Sequence, residues 1–132
     1  MLHREHILNV IEAGYAARVR GDKEALAAFW APGARFRIVG AEGLAPNMPV
    51  ASGDAEPAVA GLIDRVTFSG LERLDAVVEG NKAAVMWQVD VSVDGKPPVT
   101  MELFDLVEMD GNGKVMSLTQ FGDTATMAKM LR

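Results

Sequence analysis

Among the side chains able to do chemistry, Asp105 stands out by its surroundings. The stretch "PPVTMELFDLVEMDGNGKV", Pro97 to Val115, reads as a strand that ends in a tight turn, and Val99, Met101, Leu103, Val107 and Met109 share one pleated face with Asp105. Desolvation penalises an ionised carboxylate, so a carboxyl there is expected to titrate above its usual range. Such a group suits two roles, an oxyanion donor or a ligand anchor. The competing reading is an aspartate satisfied within the protein by Tyr15, Trp87 or a backbone amide, in which case an apolar replacement of similar shape is expected to be nearly neutral. The other acids with access to a site are Glu42 and Asp54, which with Asn47 belong to a loop able to swing over a pocket mouth. Without cysteine there is no thiol nucleophile, disulfide or thiolate metal site. Two histidines, His3 and His6, do not make a histidine-rich metal centre, and His6 sits at the border of an apolar stripe in a solvated or capping place. "DGNG" at 110–113 lacks the further acidic ligands of a calcium loop and reads as a hairpin turn. No metal and no cofactor is expected.

Helices come first among the elements that must position these groups. Ile7, Val10, Ile11, Gly14 and Ala17 recur at helical spacing between Arg4 and Arg20, and Gly21 ends that helix. Asp22 caps a second helix through about Trp30, stopped by "APG", and Phe36 and Ile38 alternate with Arg35 and Arg37 in a strand from Ala34 to Val39. The aperiodic "GAEGLAPNMPVASG", Gly40 to Gly53, is read as a lid-like loop, and Asp54 as the cap of a third helix to about Val66 with Pro57 in its first turn. Four strands follow, Leu71 to Glu79, Lys82 to Val93, Val99 to Met109 and Lys114 to Phe121, joined by "EGNK", "DGKPP" and "DGNG". Asp123 to Leu131 is a short terminal helix. This order of helices and then antiparallel strands describes an α+β domain.

Strand parity decides what Asp105 meets. Ala83, Val85, Trp87, Val89, Val91 and Val93 form the apolar face of their strand, with Gln88 and Asp90 on the other. Residues directly opposite in an antiparallel pair share a face, so the two apolar odd faces coincide only if paired numbers sum to an even value. A two-residue Asp94-Gly95 turn gives an odd sum. A three-residue connection, or a bulge near Pro97 and Pro98, is therefore expected, with Trp87 and Asp105 inside together.

Two segments carry a family resemblance. "GYAARVRGDKEALAAFWAPGARF" is a helix, a Gly-Asp break, a second helix and a first strand, and "MELFDLVEMDGNGKVMSLTQFGD" is a closing hairpin. The chain resembles the NTF2-like superfamily, and within it the ketosteroid isomerase-like and SnoaL-like polyketide cyclase group. The resemblance implies a cystatin-like cone over residues 1–132, with three N-terminal helices on a curved antiparallel sheet and a short C-terminal helix. It also implies a deep apolar pocket and a homodimer formed through the outer sheet face.

The isomerase branch uses a helix-one tyrosine and a strand aspartic acid to hold an enolate oxygen, and a second aspartate to move the proton. By this resemblance Asp105 falls on the oxyanion-holding carboxyl, which an apolar site keeps neutral and donating. Gly14 stands where the family has its tyrosine, with Tyr15 one residue on and turned by about 100° toward the pocket edge. Ile38 takes the place of the proton-transferring carboxylate. Asp105 and Tyr15 are thus the catalytic candidates, and Gly14, Phe36, Ile38, Trp87, Met101, Leu103 and Phe121 the expected pocket lining. The implied activity is binding, and enolising isomerisation, of a small apolar steroid-like or polyketide-like molecule. The alternative is a non-catalytic binding and dimerisation module. "QVDV" around Asp90 echoes limonene-epoxide-hydrolase-like members, but Gln88 and Gln120 replace two needed groups and parity turns Asp90 away from the pocket.

The bulk composition agrees with a soluble pocket protein. The 132 residues suit one compact domain burying roughly 68% of its unfolded surface. A net charge of −5 with scattered basic residues offers no concentrated positive face for nucleic acid. No apolar run is long enough to span a bilayer and "MLHREHIL" lacks signal-peptide character, so no membrane partner and a cytoplasmic location are expected.

Overall fold

The computed structural model describes residues 3–40 and 52–131. Helix α1, Arg4–Arg20, buries Ile7, Leu8, Ile11, Gly14, Tyr15, Ala17 and Arg18. That stripe is wider than the expected one and turned away from Val10, which is only half-buried. The cause is that α1 is covered from two sides, by α2 (Lys23–Ala27) and by strand β3 (Val66–Glu79). Gly21, at φ 68°, closes α1, and the Asp22 N–H donates back to the Ala17 carbonyl at 2.9 Å. Asp22 then caps α2 by accepting from the Ala25 N–H at 3.0 Å. Helix α2 ends earlier than expected, because the chain is already extended at Trp30 in β1, Trp30–Ile38.

The remaining elements are β2 (Ser52–Asp54), α3 (Ala55–Ile63), β4 (Lys82–Val93), β5 (Val99–Met109), β6 (Val115–Phe121) and α4 (Thr124–Met130). Strand β3 starts five residues before the expected Leu71 and shortens α3 accordingly. Among the described residues the strands form one sheet in the order β2-β1-β6-β5-β4-β3, and the α+β architecture is the expected one. The sheet is mixed, which corrects the all-antiparallel expectation: β1 lies parallel to β6, with Phe36 opposite Leu118 and Ile38 opposite Gln120. These strands are far apart in sequence, so no turn residue records their relative direction.

Register explains which side chains face the helices. Val85 pairs with Asp105 and Trp87 with Leu103, an even sum throughout the β4–β5 ladder, as parity requires. The connection spans residues 94–98, an odd number, with Asp94 at φ 52° and Gly95 at φ 76° making the turn. Between β5 and β6 a bulge intervenes: Met109 pairs with Val115 but Glu108 with Ser117. The inward set of β6 therefore switches from Val115 to the even residues Leu118 and Gln120. No helix among the described residues is long and apolar enough to cross a membrane.

Candidate functional site

Three adjacent strands and one helix converge on Asp105. It lies opposite Val85 on β4 and Gln120 on β6, and no part of it is exposed. The Tyr15 hydroxyl, reaching down from α1, donates to Oδ2 of Asp105. Trp87 donates its indole N–H to the same oxygen at 3.0 Å. Gln120 Nε2 donates to Oδ1 at 3.2 Å and to the Tyr15 hydroxyl oxygen at 3.0 Å. The Tyr15 and Trp87 rings pack with centroids 4.5 Å apart.

Burial pushes the Asp105 carboxyl up to about 6, against the pull of its three donors toward the ionised form. Burial, and next the neighbouring Asp105 charge, raise the Tyr15 phenol well above its ordinary value. Near neutral pH Asp105 is thus an acceptor serving three side chains. The sequence left open an aspartate satisfied by one internal partner, and the structure supplies three.

Tyr15 and Gln120 form part of the wall of an open-mouthed cavity of about 80 Å³ between the sheet and the helices, while Asp105 and Trp87 are not among its lining residues. One water needs roughly 10–15 Å³ of such space, so the cavity is not filled by the protein's own side chains. Gly14, Phe36, Ile38, Met101 and Leu103 line it. Phe121 does not: it is 45% exposed on the outer face, its ring 6.2 Å from that of Phe104, because the bulge reverses the parity of β6. Trp87, 1% exposed, serves Asp105 instead of forming a wall.

Gly14 has a steric reason. A Cβ there would fall inside the contact distance of the Phe29 ring, so position 14 has no room for a phenol, and Tyr15 provides it. Tyr15 stands deeper than the pocket edge, at 6% exposed.

The expected replacement bases fare differently. Asp54 sits on the surface, paired with Arg35 at 2.7 Å, and does not line the cavity, so its loop role is corrected. Glu42 and Asn47 lie outside the described residues. Asp90 lies on the outward face of β4, bonded by Thr100. Asp123, which sequence reading placed only as the start of the last helix, is the one carboxylate among the described lining residues. It caps α4 by accepting from the Thr126 N–H at 3.0 Å and the Thr126 hydroxyl at 2.7 Å, and these bonds hold its pKa below the usual carboxylate value.

Two further lining groups escaped the sequence reading. Arg18 is 7% exposed, with its guanidinium 4.1 Å from the centroid of the Phe68 ring. Burial lowers its pKa to about 10, which leaves it cationic at neutral pH. Its signal was present, since 7, 11, 14 and 18 are one helical stripe, but a cation is not ordinarily read as an inward residue. Trp30, also lining the cavity, has a buried indole N–H without an acceptor. Among the described residues no three acidic, histidine or cysteine side chains converge to hold a metal.

No protein-family model and no curated protein matches the chain. Solved structures do. An NTF2-like protein from Burkholderia xenovorans superposes with a TM-score of 0.77 at 21% identity over 100% of both chains. TerC, co-crystallised with polyporic acid, has a TM-score of 0.77 at 16% identity over 96% of this chain and 98% of its own. An LEH-like epoxide hydrolase from Mycobacterium tuberculosis has a TM-score of 0.73 at 15% identity over 96% and 90%.

Proposed function

From the premise that the chain has the NTF2-like fold, we propose that it holds a small, largely apolar molecule, steroid-like or polyketide-like, in the cavity between sheet and helices. The observation that carries this reading is an unfilled cavity whose wall is apolar except for a few convergent polar groups, among them Tyr15, Gln120 and Arg18. The co-crystal of TerC with polyporic acid supports it by analogy of fold. Asp105 is a positioning residue here: it orients the phenol and the amide that meet the ligand. Ligands that bind the folded state alone raise its melting temperature with concentration. A panel of steroid-like and polyketide-like ketones is expected to contain at least one that does so for wild type but not for Ile38→Phe, which narrows the cavity. If no compound shifts wild type, the reading is wrong.

One observation favours enolisation as a second reading. Tyr15 bridges the cavity wall and a carboxyl that titrates at about 6. Once protonated, Asp105 donates to the Tyr15 oxygen, and the phenolic hydrogen is free to turn to a ligand's carbonyl oxygen. Among the described lining residues, Asp123 is the carboxylate available to take the proton. General acid–base help of this kind contributes typically 10²–10⁴-fold. The assay is turnover of unsaturated ketones by wild type, Tyr15→Phe and Asp105→Leu. Equal rates in all three reject catalysis and leave the binding module.

The outer sheet face supplies the dimer surface in this proposal. Phe104, Leu106, Met116 and Phe121 are each between 39% and 46% exposed on neighbouring β5 and β6, an apolar patch suited to a second copy of the chain.

A further inference from the structure

We infer that the cavity's ligand is an organic acid, an apolar body with one planar oxyanionic head, carboxylate or enolate, that pairs with Arg18. This rests on the reading of the cavity as a ligand pocket. Five other cations, Arg20, Lys23, Arg35, Arg65 and Arg73, sit on or near the surface and each has a carboxylate within 4.0 Å. Arg18, the most buried arginine among the described residues, has none there. Its contact with Phe68 orients the guanidinium plane but supplies no counter-charge. Asp105, the buried acid among the described residues, makes its hydrogen bonds to Tyr15, Trp87 and Gln120 and none to Arg18. Asp123, the carboxylate on the same wall, is bonded to Thr126 and forms no ion pair with Arg18.

A guanidinium taken out of water is costly unless an anion meets it, and a buried N–H without an acceptor is costly too. On the same cavity wall the Trp30 indole N–H is buried without an acceptor, and the largely buried Arg18 guanidinium has no carboxylate partner. The planar fork of arginine fits a carboxylate or enolate through two parallel hydrogen bonds, and the apolar walls fit the rest of such a molecule.

The test is calorimetric titration of the full chain at neutral pH with naphthoic acid and with naphthalenemethanol of the same substitution, which share an apolar body and differ in charge. Wild type is expected to bind the acid at least about tenfold more tightly than the alcohol. Arg18→Met is expected to lose that preference, binding acid and alcohol within about twofold of each other, with an unliganded melting temperature equal or higher, since an uncompensated buried charge has gone. Arg18→Lys, which keeps the charge without the fork, retains part of the preference and serves if the Met variant does not fold. If wild type binds both probes equally, or Arg18→Met weakens both alike, Arg18 is a packing residue and the inference fails while the pocket reading stands. If wild type binds neither, the pocket reading fails and takes the inference with it.

Discussion

Replacing Asp105 by Leu strips an acceptor from three buried donors, so the near-neutral outcome expected of a merely structural aspartate does not apply. Each donor left unpaired costs about 1–3 kcal/mol, and urea unfolding of Asp105→Leu is expected to show a loss of several kcal/mol. Asp105→Asn keeps an acceptor and removes the ionisation, which isolates the pH effect. The folded-state pKa of about 6 lies above the ordinary 3.8, so the folded protein binds the extra proton. The resulting stability is fully present below the ordinary value and is lost as pH rises through about 6, on the order of 3 kcal/mol in all. Melting curves from pH 4 to 7 should show this decline in wild type and its absence in Asp105→Asn; parallel curves would refute the assignment. Gly14→Ala is the second test at this scale. Alanine favours a helix by about 1 kcal/mol over glycine, yet its methyl collides with Phe29, and overpacking costs typically about 1–3 kcal/mol. The variant is expected to be less stable than wild type, and a gain in melting temperature would show that Phe29 moves aside freely. That a carboxyl stands inside was legible from the alternation around Asp105. Its three partners were not equally so, because Gln120 faces inward only by virtue of the β6 bulge.

At the scale of elements, the corner between α1 and α2 sets the direction in which α1 presents Tyr15 and Arg18. Gly21 at φ 68° turns the chain, and Asp22 caps the next helix. Gly21→Ala forces an L side chain into the left-handed region, and Asp22→Ala removes a capping acceptor; each is expected to cost about 1 kcal/mol by denaturant unfolding. A change near zero in both would mean that packing alone holds the corner. These two residues announced the break in the sequence, as did the glycine-rich hairpin turns. The parallel β1–β6 pairing and the bulge after Val115 had no comparable local sign, since the first joins distant segments and the second needs no glycine.

The whole molecule presents one face of its sheet to the helices and leaves apolar side chains on the other. Leu106→Glu, a charge in the middle of the outer patch, is expected to convert a dimer to a monomer by sedimentation, with ligand-induced stabilisation retained because the cavity lies on the opposite face. A wild-type chain that sediments as a monomer would refute the dimer.

Periodicity and turn chemistry are properties of short stretches, so the order of helices and strands apart from the short β2, which falls where a loop and a helix cap were expected, the even-sum pairing of β4 with β5 and the inward aspartate followed from the amino-acid sequence alone. Tyr15 and Asp105 are 90 residues apart, and Arg18 becomes buried only when α2 and β3 close over α1. Which groups meet in the cavity, and which lack a partner there, was decided by contacts between segments that no local pattern links.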